Sequence, residues 1–381
     1  MIERFHLNFF TYEFEYFVEQ NKRLMRVGQI PNIISKFKEY TELRKKTCSW
    51  IDNLKGPVFV PIDITYKCNL NCPYCYVSAS HRKSTQLPKD KVFKILDELS
   101  EMDVLGICLC GGESTLHKNI LDIINYASSK GIFTNMVTNG TLINEKFASK
   151  LSESGIKIVQ VSVDGSKPEI MDALRGKGAF ERAINAIRVL RAYDIPVSIS
   201  FCSTRLNIMD FPNVVELGYK LGVYNVRTMY FVPENIQSCE LTSTEEQYKE
   251  LVSWILENIG KYPLIIEFGD PTEHIVLGQF IGHLSFIINA EGYILPSPYL
   301  SLAYGTIDDG IANLWNELQE IWVRNPVLKA LSENIKTEKD FIKLYKLSIN
   351  RGEEERLINL REMSWNELHK LATKVVKVLA Q

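Results

Sequence analysis

Short apolar runs alternate with amphipathic stretches through the middle of the chain, from about residue 58 to residue 231. The amphipathic stretches have apolar residues at helical spacing and predict helices near 89–101, 119–130, 144–153, 179–193 and 211–221. The apolar runs are rich in β-branched and aromatic residues and predict six strands, at 58–65, 106–110, 133–138, 157–163, 197–202 and 225–231. Repeated strand–helix units of this kind predict parallel strands that are joined by right-handed crossovers.

Six strand–helix units are too few for a closed eight-stranded barrel. We therefore predict an α/β fold that contains a partial, open (β/α)6 barrel of the TIM type. A flat, doubly wound sheet has the same periodicity, so the pattern alone does not separate the two folds. In both folds the reactive groups lie at the C-terminal ends of the strands.

The two ends of the chain do not follow this alternation. Residues 1–56 have a thick aromatic face and predict N-terminal helices that pack on the barrel. After Pro233 the alternation is expected to stop, with one helix at about 243–259 and one strand-like run at 264–268. A β-hairpin is predicted at 284–296 with its turn at 289–292. The predicted division is a helical segment at 1–56, the barrel at 57–235, a region containing the hairpin at 236–330 and C-terminal helices at 331–381.

The composition is that of an ordinary globular protein. The chain has 381 residues, of which 45% are hydrophobic and 24% are charged, so a disordered protein is excluded. The net charge is −2 and no polybasic run is present, so we expect no nucleic-acid partner. No apolar stretch approaches the roughly 20 residues that span a bilayer. The first residues lack the features of a signal peptide, and we expect a cytoplasmic protein without a transmembrane segment.

Three of the eight cysteines lie within one short segment directly after the first predicted strand. Cys68, Cys72 and Cys75 have the spacing C-x3-C-x2-C, which in a reducing compartment indicates a metal site or catalysis. A structural zinc ion needs four protein ligands, and only His81 lies nearby as a fourth. A [4Fe–4S] cluster on three cysteines would leave one iron open to a small molecule.

The segment CNLNCPYCY at residues 68–76 resembles the signature of the radical S-adenosylmethionine (radical SAM) enzymes. Further matches follow at the ends of successive predicted strands and extend the resemblance over about residues 57–235. One departure is Ser114, where the family usually has proline, but this change removes no ligand. The matches are Gly111-Gly112-Glu113, Thr138-Asn139-Gly140, Ser162-Val163-Asp164-Gly165 and Arg175-Gly176.

The resemblance implies one [4Fe–4S] cluster on the three cysteines and S-adenosylmethionine (SAM) as the second cofactor. Glu113 would contact the methionyl amine of SAM, Arg175 its carboxylate, and Tyr74 would lie near the adenine. Glycine permits close approach of the backbone to a ligand, and arginine presents a planar fork to a carboxylate. The remaining SAM contacts implied by the resemblance are Gly111, Gly112, Asn139, Ser162 and Asp164.

The resemblance also implies the reaction. A one-electron donor such as flavodoxin or ferredoxin would reduce the cluster, and cleavage of SAM would yield a 5′-deoxyadenosyl radical. That radical would abstract hydrogen from the substrate. A donor that returns hydrogen to the substrate radical would be Cys202 or Cys239, although an ordinary packing role for both cysteines is the simpler interpretation. We interpret Cys108 and Cys110, in the second strand, as structural.

Residues 278–326 resemble the SPASM or twitch extension that many of these enzymes carry. Ser297 stands where the extension has a cysteine, Gly278 and Gln279 stand near the position of an earlier one, and no cysteine follows Cys239. Since thiolates are needed to hold an iron–sulfur cluster, we expect a SPASM-like scaffold without an auxiliary cluster. Pro298 follows in place of the aspartate of the sulfatase maturases and argues against that activity.

Without an auxiliary cluster, an internal route for two-electron oxidation is missing. We therefore expect a redox-neutral outcome such as epimerisation, elimination or rearrangement of a small biosynthetic metabolite. The first alternative is modification of a peptide or protein side chain by the same chemistry, and a lipid substrate comes third. Two other classes stay open: a non-catalytic iron–sulfur protein and a structural zinc module.

Overall fold

The computed structural model describes residues 55–57, 59–233, 237–269, 285–321, 324–335, 340, 343 and 357–380. Almost all of the predicted N-terminal helical segment, residues 1–54, lies outside the described residues, as do Gly278 and Gln279. Within the described part, no helix is both long enough and apolar enough to cross a membrane.

Parallel strands form the centre of the molecule. The strands are β1 (Phe59–Thr65), β2 (Gly106–Gly111), β3 (Phe133–Thr138), β4 (Ile158–Ser162), β5 (Val197–Ser203), β6 (Asn225–Tyr230), β7 (Ile265–Phe268), β8 (Ile287–Ile288), β9 (Ile294–Leu295), β10 (Leu302–Ala303) and β11 (Ile358–Asn359). The first nine form one sheet in the order β7-β6-β5-β4-β3-β2-β1-β8-β9, and β10 pairs with β11. Strands β1 to β7 are all parallel to their neighbours, so the predicted α/β fold with a partial barrel is confirmed.

Helices connect the strands as the periodicity predicts. They are α1 (Lys89–Glu101), α2 (Ile120–Ser129), α3 (Glu145–Glu153), α4 (Pro168–Arg175), α5 (Ala179–Ala192), α6 (Phe211–Lys220), α7 (Glu245–Asn258), α8 (Ile311–Ile321), α9 (Pro326–Asn334) and α10 (Trp365–Leu379). Helix α4 was not predicted, and its eight residues end at Arg175. The capping box of α10 is formed by Ser364 and Glu367, in agreement with the sequence pattern.

The prediction that the alternation stops after Pro233 is wrong. Helix α7 leads into β7, which pairs in parallel with β6, so that Arg227 lies in register with Glu267. The helix expected at about 243–259 and the strand-like run expected at 264–268 are present as α7 and β7, but a strand of only four residues gives no clear sign that it continues the parallel sheet. At the other edge of the sheet, the predicted hairpin is present as β8 and β9, and Ile288 of β8 pairs in parallel with Ile62 of β1.

The two faces of the sheet differ in polarity. The outer face packs on the helices and carries fully buried apolar side chains, such as Ile62, Ile107 and Val161. Because side chains alternate along a strand, the intervening residues face the interior of the barrel. Many of these interior residues are polar and buried, among them Asp63, Asn135, Ser198, Ser200, Asn225, Arg227 and Glu267. The interior is therefore unlike the branched apolar filling that is usual in such barrels.

Substitution Phe201→Ala tests the apolar packing of the outer face. Phe201 is fully buried on β5, and its ring centroid lies 5.3 Å from that of Phe211 on α6. We expect the free energy of unfolding to fall by about 3–5 kcal/mol in a chemical denaturation experiment, because a large cavity is left. The control Leu206→Ala removes a side chain that is 64% exposed and should change the value by about 0.5 kcal/mol or less. Equal effects of the two substitutions would contradict the packing described here.

Candidate active site

The loop after β1 carries Cys68, Cys72 and Cys75, none of which forms a disulfide, and all three side chains are partly exposed. The amide of Leu70 donates to the sulfur of Cys68 and the amide of Ala79 to the sulfur of Cys75, each at 3.5 Å. Such amide contacts stabilise a thiolate ligand and tune an iron–sulfur cluster. Burial raises the pKa of Cys72 to about 11, so a metal that binds there must displace the thiol proton.

The chemistry of this donor set fits a polynuclear cluster. No group of three or more His, Cys, Asp or Glu side chains in the described residues could hold a single metal ion. The three thiols of the loop need not converge on one point to bind a cubane, since each cysteine binds a different iron atom. The thiols of Cys68 and Cys75 both act electrostatically on Cys72, so the three side chains lie close together, as the three protein ligands of a [4Fe–4S] cluster would.

Gly111 and Gly112, at the end of β2, pass in direct contact with the start of the cysteine loop. Gly111 has a φ of +119°, and a Cβ atom there would lie 2.2 Å from the carbonyl oxygen of Thr65. A Cβ atom on Gly112 would lie 2.5 Å from the carbonyl oxygen of Lys67. The close approach is used by two hydrogen bonds, from Gly112 N to Thr65 O at 2.7 Å and from Glu113 N to Lys67 O at 2.8 Å. The two glycines therefore join β2 to the loop of the cysteines.

Glu113 is almost completely buried and lies at the centre of a hydrogen-bond network. Its Oε1 accepts from the hydroxyls of Thr115 at 2.5 Å and Thr138 at 2.6 Å, and from the amide of Thr115 at 3.1 Å. Its Oε2 accepts from the amide of Asn139 at 2.7 Å. The carboxylate thus connects the ends of β2 and β3, in addition to any contact that it makes with a ligand.

Asn139 reaches from the end of β3 to the cysteine loop. Its Nδ2 donates to Asn69 Oδ1 at 2.8 Å, and Asn69 in turn donates to the hydroxyl of Thr141 at 2.7 Å. Ser162, at the end of β4, is 8% exposed, and its hydroxyl forms no side-chain hydrogen bond to the described residues. The amide of Asn139 is thus engaged with the cysteine loop, whereas the hydroxyl of Ser162 is left for a ligand.

Asp164 is fully buried and connects three segments of the site. Its Oδ2 accepts from the hydroxyl of Tyr74 at 2.5 Å and from Nε of Arg175. Its Oδ1 accepts from the amide of Cys202 on β5 at 2.7 Å, and its carbonyl oxygen accepts from Nδ2 of Asn207 at 3.0 Å. The cysteine loop, α4 and β5 therefore meet at one carboxylate.

Arg175 is held between an acid and an aromatic ring. Its guanidinium lies 5.5 Å from the centroid of the Tyr74 ring. Burial alone would lower the pKa of Arg175, but the charge of Asp164 outweighs this and keeps the pKa well above its usual value. The guanidinium is therefore a permanent positive charge beside Cys72, where an anionic cluster or a carboxylate would be attracted.

Cys202 belongs to the same cluster of side chains. It packs with Cys72 against Tyr74, Leu174 and Phe231, and burial raises the pKa of its thiol well above the usual value. Cys239 lies in the short turn at Gln237–Leu241 after β6 and is partly exposed. The structure thus brings Cys202 beside the cysteine loop.

Two further groups of side chains face the same interior: Cys108 and Cys110, which the sequence predicts to be structural, and Asp63 with Tyr76. Cys108 and Cys110 lie on the interior face of β2 with their sulfur atoms 3.2 Å apart. Asp63 on β1 pairs in register with Cys110 and accepts from the hydroxyl of Tyr76 at 2.7 Å. The apolar residues at 107 and 109 were the available signal, because their alternation places the cysteines on the opposite face.

The comparisons with known proteins agree with this geometry. The family described as the Radical SAM superfamily matches residues 62–217. Mycofactocin maturase MftC from Mycobacterium ulcerans is 32% identical over 299 residues, which cover 74% of this chain and 78% of that protein. The chain belongs to the radical SAM superfamily.

Other relatives match a shorter part of the chain or share its fold. MftC from Mycolicibacterium smegmatis is 31% identical over 207 residues, and the match spans about half of each chain, 53%. PqqA peptide cyclase from Bradyrhizobium diazoefficiens is 29% identical over 167 residues, which cover 43% of this chain and 44% of that protein. SuiB from Streptococcus suis has the same fold, with a TM-score of 0.61, 14% identity and coverage of 91% of this chain and 87% of that one. The chain is therefore an enzyme of the SPASM or twitch type of radical SAM protein.

In this radical SAM enzyme, the position that lacks the expected cysteine is packed tightly. Ser297 is fully buried, and its hydroxyl accepts from the amide of Tyr299 at 3.3 Å. The neighbouring residues Leu300, Leu302 and Tyr304 join an apolar cluster with α9 and α10. A hydrophobic core thus lies next to Ser297.

Substitution Asp164→Asn tests the central carboxylate of the site. It removes the charge that balances the buried guanidinium of Arg175, so we expect the free energy of unfolding to fall by about 3–5 kcal/mol. The matched control is Asp308→Asn, since Asp308 pairs with Lys91 at 2.9 Å on the surface and its side chain is 74% exposed. An exposed pair contributes about 1 kcal/mol or less. Chemical denaturation of both variants checks the difference, and equal losses would refute it.

The pH dependence of stability tests the environment of Asp63. Burial raises the pKa of Asp63 from 3.8 to about 6, so the folded chain holds this proton more tightly than the unfolded chain. The resulting contribution to stability is present below pH 3.8 and is lost as the pH rises through about 6. Asp63→Asn should therefore increase the free energy of unfolding above pH 6 by up to about 3 kcal/mol. Denaturation at a series of pH values checks this, and an increase that is the same at pH 4 and pH 8 would contradict it.

Proposed function

We propose that this radical SAM enzyme binds one [4Fe–4S] cluster on Cys68, Cys72 and Cys75 and binds SAM over the C-terminal ends of β2 to β5. The observation that carries the proposal is the contact between the cysteine loop and the Gly111-Gly112 strand end. It leaves three reduced thiols beside a strand end that has no side chain to block a ligand. When bound, cluster and SAM supply a 5′-deoxyadenosyl radical that abstracts hydrogen from the substrate.

The chain positions these groups through fixed hydrogen bonds. Glu113 and Asn139 connect the ends of β2 and β3 to each other and to the cysteine loop. This network holds the backbone near the expected position of the methionyl amine of SAM. Ser162 ends β4 and Arg175 ends α4. The hydroxyl of Ser162 and the guanidinium of Arg175 are available to bind the carboxylate of SAM.

Asp164 and Tyr74 prepare Arg175 for this role. Asp164 holds Nε of the guanidinium, and the ring of Tyr74 lies beside it. The remaining donors of the arginine can then bind a carboxylate without a loss of side-chain freedom on binding. Asp164 acts in this proposal as a positioning residue, since its own oxygens are engaged with Tyr74, Arg175 and the amide of Cys202.

The substrate is assigned only by class, and two classes compete. A small biosynthetic metabolite is our first proposal, with a redox-neutral outcome, because Ser297 and the absence of any cysteine after Cys239 leave no ligands for an auxiliary cluster. A peptide is the second class, and it is favoured by the name of PqqA peptide cyclase. In both cases a one-electron donor such as flavodoxin or ferredoxin would supply the electron.

Return of hydrogen to the substrate radical would need a donor on the interior surface. Cys202 is the better placed of the two thiols proposed from the sequence, because it packs against Cys72 and Tyr74. Cys239 lies in the turn after β6 and is the weaker candidate. Transfer of the thiol hydrogen atom to a carbon radical would leave a thiyl radical on Cys202, and one electron from the same donor together with one proton would restore the thiol.

Substitution Cys72→Ala tests the proposed function. The variant should lose bound iron and sulfide after anaerobic reconstitution, and 5′-deoxyadenosine formed from SAM and a strong reductant should fall below detection. Cys48→Ala is the control, because it also removes one thiol but lies outside the C-x3-C-x2-C signature, and it should retain both properties.

Three outcomes would separate the alternatives. A reconstituted natural chain that holds iron and sulfide but forms no 5′-deoxyadenosine would be a non-catalytic iron–sulfur protein. Zinc without sulfide in a metal analysis would indicate the structural zinc module. Product formation that is unaffected by Cys72→Ala would overturn the assignment of the cluster ligands.

A further inference from the structure

The interior face of β5, β6 and β7 carries polar and charged side chains in register. Ser200, Arg227 and Glu267 lie side by side on the three strands. Ser198 pairs with Asn225 two residues closer to the N-terminal ends of β5 and β6. All five residues are less than a tenth exposed. Barrels of this type usually fill these positions with branched apolar residues that pack a core. The polar side chains therefore indicate that the interior of the barrel binds a polar ligand.

Stability alone does not account for the buried ion pair. Nη1 of Arg227 lies 3.7 Å from Oε1 of Glu267, and Nδ2 of Asn225 donates to the same oxygen at 2.6 Å. Removal of two charges from water costs several kcal/mol per ion, and apolar residues of similar volume are often at least as stabilising. Folding energy alone therefore does not require an ion pair at this position.

Two buried amide oxygens in the interior lack a hydrogen-bond donor. Oδ1 of Asn225 accepts no hydrogen bond from the described residues, although the other end of the same amide is bonded to Glu267. Oδ1 of Asn135 on β3 is also buried and accepts no hydrogen bond from the described residues. Such an oxygen costs about 1–3 kcal/mol when it stays unpaired. A ligand with N–H donors would provide the missing hydrogen bond to such an oxygen.

The ion pair lies near the end of the barrel where the cofactors are proposed to bind. A Cβ atom on Gly269, which directly follows β7, would lie 2.5 Å from Nε of Arg227, so the side chain of Arg227 reaches the end of that strand. The row of Ser200, Arg227 and Glu267 continues in register to Ser162 on β4. A ligand at the ion pair would therefore lie at the same height in the barrel as Ser162, which we assign to the SAM site.

We propose that Arg227, Glu267 and Asn225 bind the zwitterionic head group of a free α-amino acid, and that this amino acid is the substrate. The carboxylate would bind the guanidinium fork of Arg227, and the ammonium group would donate to Glu267 and to the unpaired oxygen of Asn225. The inference rests on the proposed function, because the bound amino acid would be the molecule from which the 5′-deoxyadenosyl radical abstracts hydrogen.

The balance of charge supports this class of ligand over a peptide segment. A zwitterion is neutral, so its binding beside Arg227 and Glu267 brings no additional net charge into the interior. A carboxylate alone or an amine alone would bring one net charge into the interior. The interior of a peptide has neither charge and would match neither member of the ion pair.

Saturation-transfer NMR on the full chain, reconstituted with its cluster and saturated with SAM, tests the proposal. The probes are the twenty proteinogenic L-α-amino acids, each compared with its N-acetyl and methyl ester derivatives. Saturation with SAM is needed because the methionyl part of SAM is itself an amino-acid head group. We expect at least one free amino acid to bind, and both of its blocked derivatives to bind at least tenfold more weakly.

A paired substitution assigns the site. Arg227→Met combined with Glu267→Leu removes both members of the ion pair together, so that neither is left in the interior without the other. Binding should weaken at least tenfold, while thermal unfolding confirms that the variant is folded. The matched control is Arg361→Met with Glu317→Leu, which removes a partly exposed pair at 3.0 Å and should leave binding unchanged.

The results separate this inference from the proposed function. If no free amino acid binds, if blocked derivatives bind equally well, or if the Arg227–Glu267 variant binds like the natural chain, the inference is overturned. Formation of 5′-deoxyadenosine is measured on the same preparations without added substrate. Its presence without amino-acid binding would refute only this inference, whereas its absence would refute the proposed function.

Discussion

The buried carboxylate of Asp164 is the interaction on which the geometry of the candidate site depends. It binds the hydroxyl of Tyr74 from the cysteine loop, Nε of Arg175 at the end of α4 and the amide of Cys202 on β5. A buried charge of this kind is costly unless each of its partners is present. The three segments are therefore held together as one unit, and the orientation of the cysteine loop follows from it.

A second network supports the opposite side of the loop. The Gly111-Gly112 backbone is in contact with the residues that precede Cys68, and Glu113 bonds to the end of β3. Asn139 then bonds back to Asn69 within the loop itself. With Asp164 on one side and Glu113 on the other, a loop without regular secondary structure acquires a defined conformation. Such support by surrounding hydrogen bonds is what a precise cofactor site requires.

The interior of the barrel has a different character from the support around it. The outer face of the sheet is an apolar core, whereas the inner face carries Arg227, Glu267 and several amides and hydroxyls. The apolar contacts of the outer face stabilise the fold, so the inner face is free to be polar. Next to Ser297, apolar packing with α9 and α10 forms a second core. The chain thus separates the residues that stabilise the fold from those that are available for binding.

The sequence by itself determined the order of the first six strands and of the helices between them except α4, the parallel sheet and the cysteine signature, because hydrophobic period and residue spacing are local properties. It also placed Glu113, Asn139, Ser162 and Arg175 at strand ends or in the segment that follows one. The tertiary structure alone decided that Asp164 joins three segments, that Cys108 and Cys110 face the interior, and that β7 brings Glu267 beside Arg227. These contacts join residues that lie far apart in sequence or on one side of a strand, and no local period encodes which face meets which partner.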